Sequence, residues 1–394
     1  MQERFEQRLT RTVNVGEVPI GSGYPVVVQS MITENIQNTI HAARQIKSLH
    51  LNGAKIVRIA IPTLKDAQSL ADIKKELLRT YKNVPLVADV HHQGATIVVE
   101  AAKYVEKIRI NPGLMVTNKS VHKNNYSEKE IVQQIDKIDQ VLVPIINACK
   151  ENGVALRIGV NHGSLAERLT FMWGDTPKGM VESALEYLRI CRSRGFNDLV
   201  VSLKSSRVSV MQEANRLMVN EMNKENMDYP IHLGVTEAGK DQYARIKSAL
   251  GIGTLLSEGI GDTIRVSLAE DPIVELSVGY DILQGLGLEQ TKAEIIACPS
   301  CGRTTFNLPG VTDRITSAVF HLKELKIAIM GCVVNGPGEI ADSDYGIMGI
   351  SGGKVAVFRG KKQVGTVIQS EAEEALTSLI KKDGKWIDPP KSFE

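Results

Sequence analysis

No apolar stretch of this 394-residue chain reaches the roughly 18 residues that a membrane helix needs. The opening, Met1-Gln2-Glu3-Arg4-Phe5-Glu6-Gln7, has no apolar core of the kind a secretory leader carries. The expected compartment is the cytoplasm, or a plastid if the chain is the mature part of an organellar protein. An excess of one charge is missing too: 47 Lys and Arg stand against 45 Asp and Glu, so no net field draws the chain to nucleic acid or to a membrane surface. Any anion it binds has to be met by a local group of cations. Cysteine is scarce, odd in number at five and thinly spread, which fits a reducing compartment better than a disulfide framework. Cys149 and Cys191 fall in helix-like patterns and are expected to be buried and inert. There is no low-complexity tract. No G-x-G-x-x-G follows the first apolar run, since Gly16, Gly21 and Gly23 all precede it, and this argues against a doubly wound dinucleotide-binding sheet, the second choice of fold.

What the chain does have is a repeated short run of β-branched and apolar residues, each followed by Gly, Asn or Asp and then by a helical pattern. The runs are 26–31, 55–60, 85–90, 107–111, 156–161, 199–204, 231–236 and 263–268. Eight near-continuous apolar strands alternating with helices over about 250 residues predict a (β/α)8 TIM-type barrel. The helices follow from period and caps. Leu64, Ala67, Leu70, Ile73 and Leu77 form one face, and Thr176-Pro177 opens a helix that Gly195 ends. The polar stretch from Asn111 to about Ser127 predicts a long loop at the barrel mouth. After Gly285-Leu286-Gly287-Leu288 the pattern changes to runs at 294–297, 326–330, 355–358 and 363–368 and a helix over 371–382. The sequence thus predicts a barrel over residues 1–280 and a small α+β domain over 281–394.

The C-terminal ends of barrel strands carry chemistry, and here they are polar. They present Arg58; Asp89 and His91; Arg109 and Asn111; Arg157, Asn161 and His162; Lys204; Glu237; Arg265 and Ser267. Five cations from five strands, Arg58, Arg109, Arg157, Lys204 and Arg265, repel one another unless an anion joins them, and a multiply charged phosphate ligand resolves the conflict. The plainer alternative is that several of them pair with Asp89, Glu237 or other carboxylates. Glu237 and Asp89 are candidates for proton transfer or for contact with a substrate hydroxyl. His91 beside His92 has no third ligand to make a metal site, and hydrogen bonding or packing is the expected role.

The second domain holds Cys298-Pro299-Ser300-Cys301-Gly302 and, after the apolar run 325–330, Gly331-Cys332-Val333-Val334-Asn335-Gly336-Pro337-Gly338-Glu339. A C-x-x-C pair and a third cysteine at a strand end are metal-ligand spacing. The bend Asn335-Gly336-Pro337-Gly338 brings Glu339 near Cys332. Three thiolates with a weaker oxygen ligand suit an iron–sulfur cluster with one exchangeable iron better than a closed zinc site, with a zinc knuckle or a disulfide as the alternatives. The C-x-x-x-C-x-x-C triad of radical S-adenosylmethionine enzymes does not occur. A cluster-bearing electron carrier or sensor would have no use for five cations at a barrel mouth.

The segments Arg109-Ile110-Asn111-Pro112-Gly113, Arg157-Ile158-Gly159-Val160-Asn161-His162-Gly163-Ser164, His232-Leu233-Gly234-Val235-Thr236-Glu237-Ala238-Gly239, Ser257-Glu258-Gly259-Ile260-Gly261-Asp262-Thr263 and Gly331 to Glu339 closely resemble those of the 4-hydroxy-3-methylbut-2-enyl diphosphate synthases, over nearly the whole chain. The stretch Ala297 to Thr304 is most similar to cyanobacterial and plastid-type members. The resemblance implies reductive opening of 2-C-methyl-D-erythritol 2,4-cyclodiphosphate to 4-hydroxy-3-methylbut-2-enyl diphosphate, a late step of the methylerythritol phosphate route to isoprenoids. It implies a [4Fe-4S] cluster held by Cys298, Cys301, Cys332 and Glu339, with Glu237 and Glu339 in catalysis. Substrate contacts are implied for Arg58, Asp89, His91, Arg109, Asn111, Arg157, Asn161, His162, Lys204, Arg265 and Ser267. Ferredoxin, or flavodoxin, is the implied electron donor, and a head-to-tail homodimer that shares its active sites the implied assembly.

Overall fold

The computed structural model describes residues 6–91, 94–116 and 126–389, in two compact units that meet in the chain between Leu288 and Glu289. Eight parallel strands build the first unit: β1 Val27–Met31, β2 Ile56–Ala60, β3 Leu86–Val90, β4 Lys107–Ile110, β5 Ala155–Asn161, β6 Leu199–Lys204, β7 His232–Leu233 and β8 Thr263–Ile264. They hydrogen-bond in the order β6-β5-β4-β3-β2-β1-β8-β7. A parallel bridge between Val201 and Ile231, with the Val201 N–H donating to Pro230 O at 2.9 Å, joins β6 to β7 and closes the ring. The eight apolar runs are these eight strands, and the fold is the expected (β/α)8 barrel. β7 and β8 are shorter than their runs. In the first of these the run contains Gly234, which has no side chain to pack and weakens a strand.

Period two along each strand sorts the side chains. Residues such as Val57, Ala88, Ile108, Ile158, Val201 and Ile264 point outward into the main core, where the amphipathic helices cover them. The helices start where the side chains dictate. Thr63 and Asp66 form a capping box ahead of Leu64–Thr80, Thr176 caps Pro177–Ser193 with Pro at its first turn, and Ser127 and Glu130 box the start of Glu128–Asn152. The last barrel helix, Pro272–Gly285, packs on β1 and buries Ile282 and Leu283 in the same core, so the first unit continues to Leu288.

The opposite parity fills the barrel. Its lowest layer is apolar: Val27, Ile56, Val87, Ala155 and Val200 pack against Val13, Val15 and Ile20. Those last residues belong to an antiparallel hairpin of two three-residue strands, Val13–Val15 and Val18–Ile20, which plugs the N-terminal end of the barrel. Above this layer the interior is polar.

The second unit is a five-stranded sheet: β9 Glu294–Ala297, β10 Lys326–Met330, β11 Tyr345–Ile350, β12 Lys354–Arg359 and β13 Lys362–Ile368, in that spatial order. β9, β10 and β11 run parallel, and β12 and β13 return antiparallel. Helices Leu308–Val319 and Ala372–Lys382 bury Val311, Ile315, Leu376 and Ile380 on one face against Ile327, Ile329 and Val357. Helix Gly336–Ala341 packs Ile340 on the other face, against Met330 and Met348. Among the described residues no helix is long and apolar enough to cross a membrane.

Candidate active site

The upper interior of the barrel gathers Arg58, Asp89, Arg109, Arg157, Lys204 and Arg265 from six strands or strand ends, all inward by parity. Asp89 is the hub. It accepts hydrogen bonds from Arg58, from Arg109 Nη1 at 2.9 Å and from His91 Nε2 at 2.9 Å. Burial works against its charge, but Arg58, the His91 hydrogen bond and Arg109 together hold its carboxyl well below the usual range. Asp89 is therefore an anionic counter-ion and not an acid. Arg109 Nη2 also donates to Gly159 O at 2.8 Å, and a Cβ at position 159 would stand 2.3 Å from Arg109 Nε. At Gly234 a Cβ would stand 2.6 Å from Lys204 Nζ. A glycine on an inward position of β5 and one just past β7 thus make the room that two cations occupy.

Arg265 pairs with Glu275, donating from Nη2 at 3.0 Å to Oε1 and 3.2 Å to Oε2. Glu275 is buried on the last barrel helix and also accepts from Ser30 Oγ and from the Leu268 N–H, both at 3.1 Å. Three of the five expected cations, Arg58, Arg109 and Arg265, therefore have carboxylate partners. Among the described residues Arg157 has only Ser202 Oγ, at 2.7 Å from Nη1, and Lys204 has no carboxylate partner. Lys107, fully buried two residues before Arg109, adds a sixth cation. Six cations facing two carboxylates leave the interior under-neutralised. Burial, then Arg157, Arg265, Arg58 and Arg109, push the Lys204 ammonium well below the usual lysine range. Burial, then Arg157 and Arg58, do the same to Lys107.

Each lysine binds fewer protons folded than unfolded, so stability rises with pH from the depressed folded values toward the ordinary lysine value of about 10.4. Above about pH 8.5 the buried Cys149 and Cys191 thiols, both pushed by burial up to about 12, work the other way, because the unfolded chain loses those protons first. The urea midpoint of the full chain is expected to climb between about pH 7 and 8.5, and to climb less with inorganic pyrophosphate present. A flat or falling midpoint over that interval would mean that both lysines keep their protons.

The remaining expected residues spread along the rim. Asn111 is buried, caps the short helix Pro112–Met115 by accepting from the Gly113 N–H, and donates to Ser164 Oγ at 3.1 Å. His162 turns to the neighbouring loops, with Nδ1 3.4 Å from Asp175 Oδ2 and Nε2 3.0 Å from Arg207 Nη2. Asn161 and Ser267 are half-buried. Glu237 is exposed at φ +52°, a left-handed conformation that a non-glycine residue adopts at a cost, and it has no side-chain partner among the described residues. His92 and residues 117–125 of the expected loop lie outside the described residues. Sequence reasoning missed Lys107 and Glu275. Strand parity with Arg109 could have found the first; nothing in the helix pattern marks the second.

In the second unit Cys298 directly follows β9, and Gly331-Cys332 directly follows β10. The strands are parallel, so both cysteines lie at the same carboxyl-end edge of the sheet, the usual place for ligands of such sheets. The Gly331 N–H donates to Cys298 Sγ at 3.0 Å, and a Cβ at 331 would stand 2.8 Å from Thr304 Oγ1. Cys301 is exposed. The Arg303 N–H above all, against an opposing burial effect and aided by the Arg303 charge and hydrogen bonds from Arg303 and Thr304, holds its thiol below the usual range. All three thiols are free and at least partly accessible, whereas Cys149 and Cys191 are buried. That donor chemistry, thiols with an amide N–H on sulfur, fits an iron–sulfur group. Glu339 is exposed on helix Gly336–Ala341. Among the described residues no three His, Cys, Asp or Glu side chains gather closely enough to hold a metal ion, so the four expected ligands share a region without forming a closed shell.

A family model described as GcpE TIM-barrel domain matches residues 10–280, and one described as GcpE protein C-terminal domain matches residues 294–382. The chain is 54% identical over 386 residues, 98% of its own length and 95% of the relative's, to a protein of Gloeothece citriformis named 4-hydroxy-3-methylbut-2-en-1-yl diphosphate synthase (ferredoxin). A protein of the same name from Picosynechococcus sp. is 54% identical over 387 residues, with 98% and 95% covered, and one from Synechocystis sp. is 53% identical over 386 residues, with 98% and 96% covered.

Proposed function

This chain belongs to the GcpE family, and on that premise we propose that it is a ferredoxin-dependent oxidoreductase of isoprenoid biosynthesis. It opens 2-C-methyl-D-erythritol 2,4-cyclodiphosphate reductively to 4-hydroxy-3-methylbut-2-enyl diphosphate. The observation that carries the proposal is the buried, under-neutralised cation group inside the barrel, which suits a cyclic diphosphate better than any neutral or cationic ligand. Arg157 and Lys204, free of carboxylates, take phosphate oxygens. Arg58, Arg109 and Arg265, aimed by Asp89 and Glu275, hold the diphosphate and the phosphoryl oxygen that leaves as the ring opens, where their fixed charges act in a site shielded from water. Asn111, Asn161, His91, His162 and Ser267 line the rim for the remaining hydroxyl and phosphate oxygens. Loss of a hydroxyl as water consumes protons, and we assign the supply of one to Glu237, since Asp89 keeps its charge.

Side chains cannot deliver electrons, so a redox group is required. Cys298, Cys301, Cys332 and Glu339 would hold a [4Fe-4S] cluster, which when bound supplies single electrons at the reacting carbon. Ferredoxin, in the names of the relatives, is the donor. The accessible thiols fit a reducing compartment such as the cytoplasm.

The test is binding of the cyclic diphosphate by calorimetry. Arg109→Met removes one charge-assisted contact and is expected to weaken affinity by about 10- to 150-fold, the equivalent of roughly 1.5–3 kcal/mol, with the iron content unchanged. Unchanged affinity would move the anion site elsewhere.

Each unit has half of the chemistry, the barrel an anion site and the sheet unit a thiol set. Completion by the second copy in a head-to-tail homodimer is testable by subunit exchange. A Cys298→Ser chain mixed with an Arg265→Met/Glu237→Ala chain is expected to regain activity, because one site of the heterodimer then combines two intact halves. Continued inactivity after demonstrated exchange would reject the shared site.

A further inference from the structure

Beneath the mouth, one layer down, runs a ring of inward polar side chains of which the diphosphate reading uses only Arg157. Strand register fixes the level of each member. Lys107 on β4 lies one step below Arg109, which pairs with Arg157 on β5; Arg157 Nη1 reaches Ser202 on β6; and His232 on β7 pairs with Thr263 on β8, itself beside Val27 on the strand that carries Gln29. All six side chains are at most 1% exposed. Thr263 Oγ1 donates to Val27 O at 2.8 Å and so accepts from His232 Nδ1 at 3.4 Å, which leaves His232 Nε2 a lone pair. Among the described residues Lys107 Nζ, Arg157 Nε and Nη2 and both polar atoms of the Gln29 amide have no hydrogen-bond partner.

With no carboxylate in the ring, Arg157 is a buried charge with donors to spare, and Lys107 is a buried amine that burial and the neighbouring arginines drive to shed its proton unless a counter-ion joins it. A water molecule satisfies hydrogen bonds but leaves the charge. A monovalent anion satisfies both. We propose that this ring is a second anion site, for a small inorganic ion of halide size, held by Lys107 Nζ, Arg157 and the Gln29 amide under the diphosphate site.

The experiment uses the full-length protein with its mouth filled by inorganic pyrophosphate. Crystals soaked in bromide are expected to give an anomalous peak within hydrogen-bond distance of Lys107 Nζ. In solution at constant ionic strength, exchanging a bulky organic anion for chloride is expected to raise the thermal midpoint until it saturates, and Lys107→Met is expected to abolish the saturable part. Bromide only at the mouth, or the same chloride dependence in wild type and Lys107→Met, would overturn the site. If Lys107→Met does not fold, the bromide peak in the wild-type crystal decides.

Discussion

Serine in place of Cys332 is expected to remove iron and turnover together while the first unit keeps its fold. The residue leaves the end of β10 half-buried, and Val333 and Val334 after it are 58% and 60% exposed, so exchanging sulfur for oxygen disturbs little packing. The barrel core and the two cores of the sheet unit share no residues, so a local loss in one does not unfold the other. What changes is donor chemistry. A thiolate forms near neutral pH and is a soft ligand for iron, whereas a serine hydroxyl stays protonated and hard. Anaerobically prepared wild type is expected to hold about four irons per chain, and the variant close to none. Cys149→Ser is the control: its thiol is buried far from solvent, so it should lose stability and retain iron. A Cys332→Ser protein with undiminished iron would remove this residue from the ligand set.

Asp89→Asn is expected to give the largest loss of stability of any single change at the mouth. Asparagine keeps the shape and deletes the charge, which leaves the Arg58 and Arg109 guanidiniums facing each other without their shared counter-ion at a site where all three groups are buried. Removing one partner of such a network costs about 3–5 kcal/mol. Inorganic pyrophosphate is expected to restore part of it by supplying the missing negative charge, though turnover should stay low because neither arginine is aimed. The pH profile provides a second signature. The folded-state value of Asp89 lies below its unfolded value of about 3.9, so its contribution is complete above that pH and disappears as pH falls through the folded value. The variant should have lost that acid-sensitive portion already. A penalty under about 1 kcal/mol in urea unfolding would mean that the two arginines do not depend on Asp89.

Most of the barrel was legible because parallel strands buried on both faces read as unbroken apolar runs, and eight of them in 250 residues admit few other arrangements. Elements that the period could not reveal were the short or glycine-rich ones. The hairpin strands Val13–Val15 and Val18–Ile20 have three residues each, and β11 is interrupted by Gly346 and Gly349. The position of a cation within an apolar run identified Arg58 and Arg109, and at the end of one Lys204, since nothing but an inward or terminal role explains a charge there. Lys107 escaped because, as the first residue of its strand, it resembles a solvated flank. Glu275 escaped because a carboxylate on a helix is ordinarily at the surface, and only the tertiary approach of Arg265 turns this one inward. That Asp89 and Glu275 divide three of the five expected cations between them is a fact of side-chain geometry that no spacing encodes.

The hairpin at the foot of the barrel has a kinetic meaning. Val13, Val15 and Ile20 stop the N-terminal end with apolar side chains, so a charged ligand has one doorway, at the carboxyl ends of the strands. Reactant and product of the proposed reaction both carry a diphosphate and must use that doorway in turn. The barrel cannot be refilled until it has been emptied, and the product has to be a competitive inhibitor with respect to the cyclic diphosphate. Because the same cations greet both, tighter capture of the reactant is slower release of the product, which sets a ceiling on how much positive charge the mouth can usefully hold.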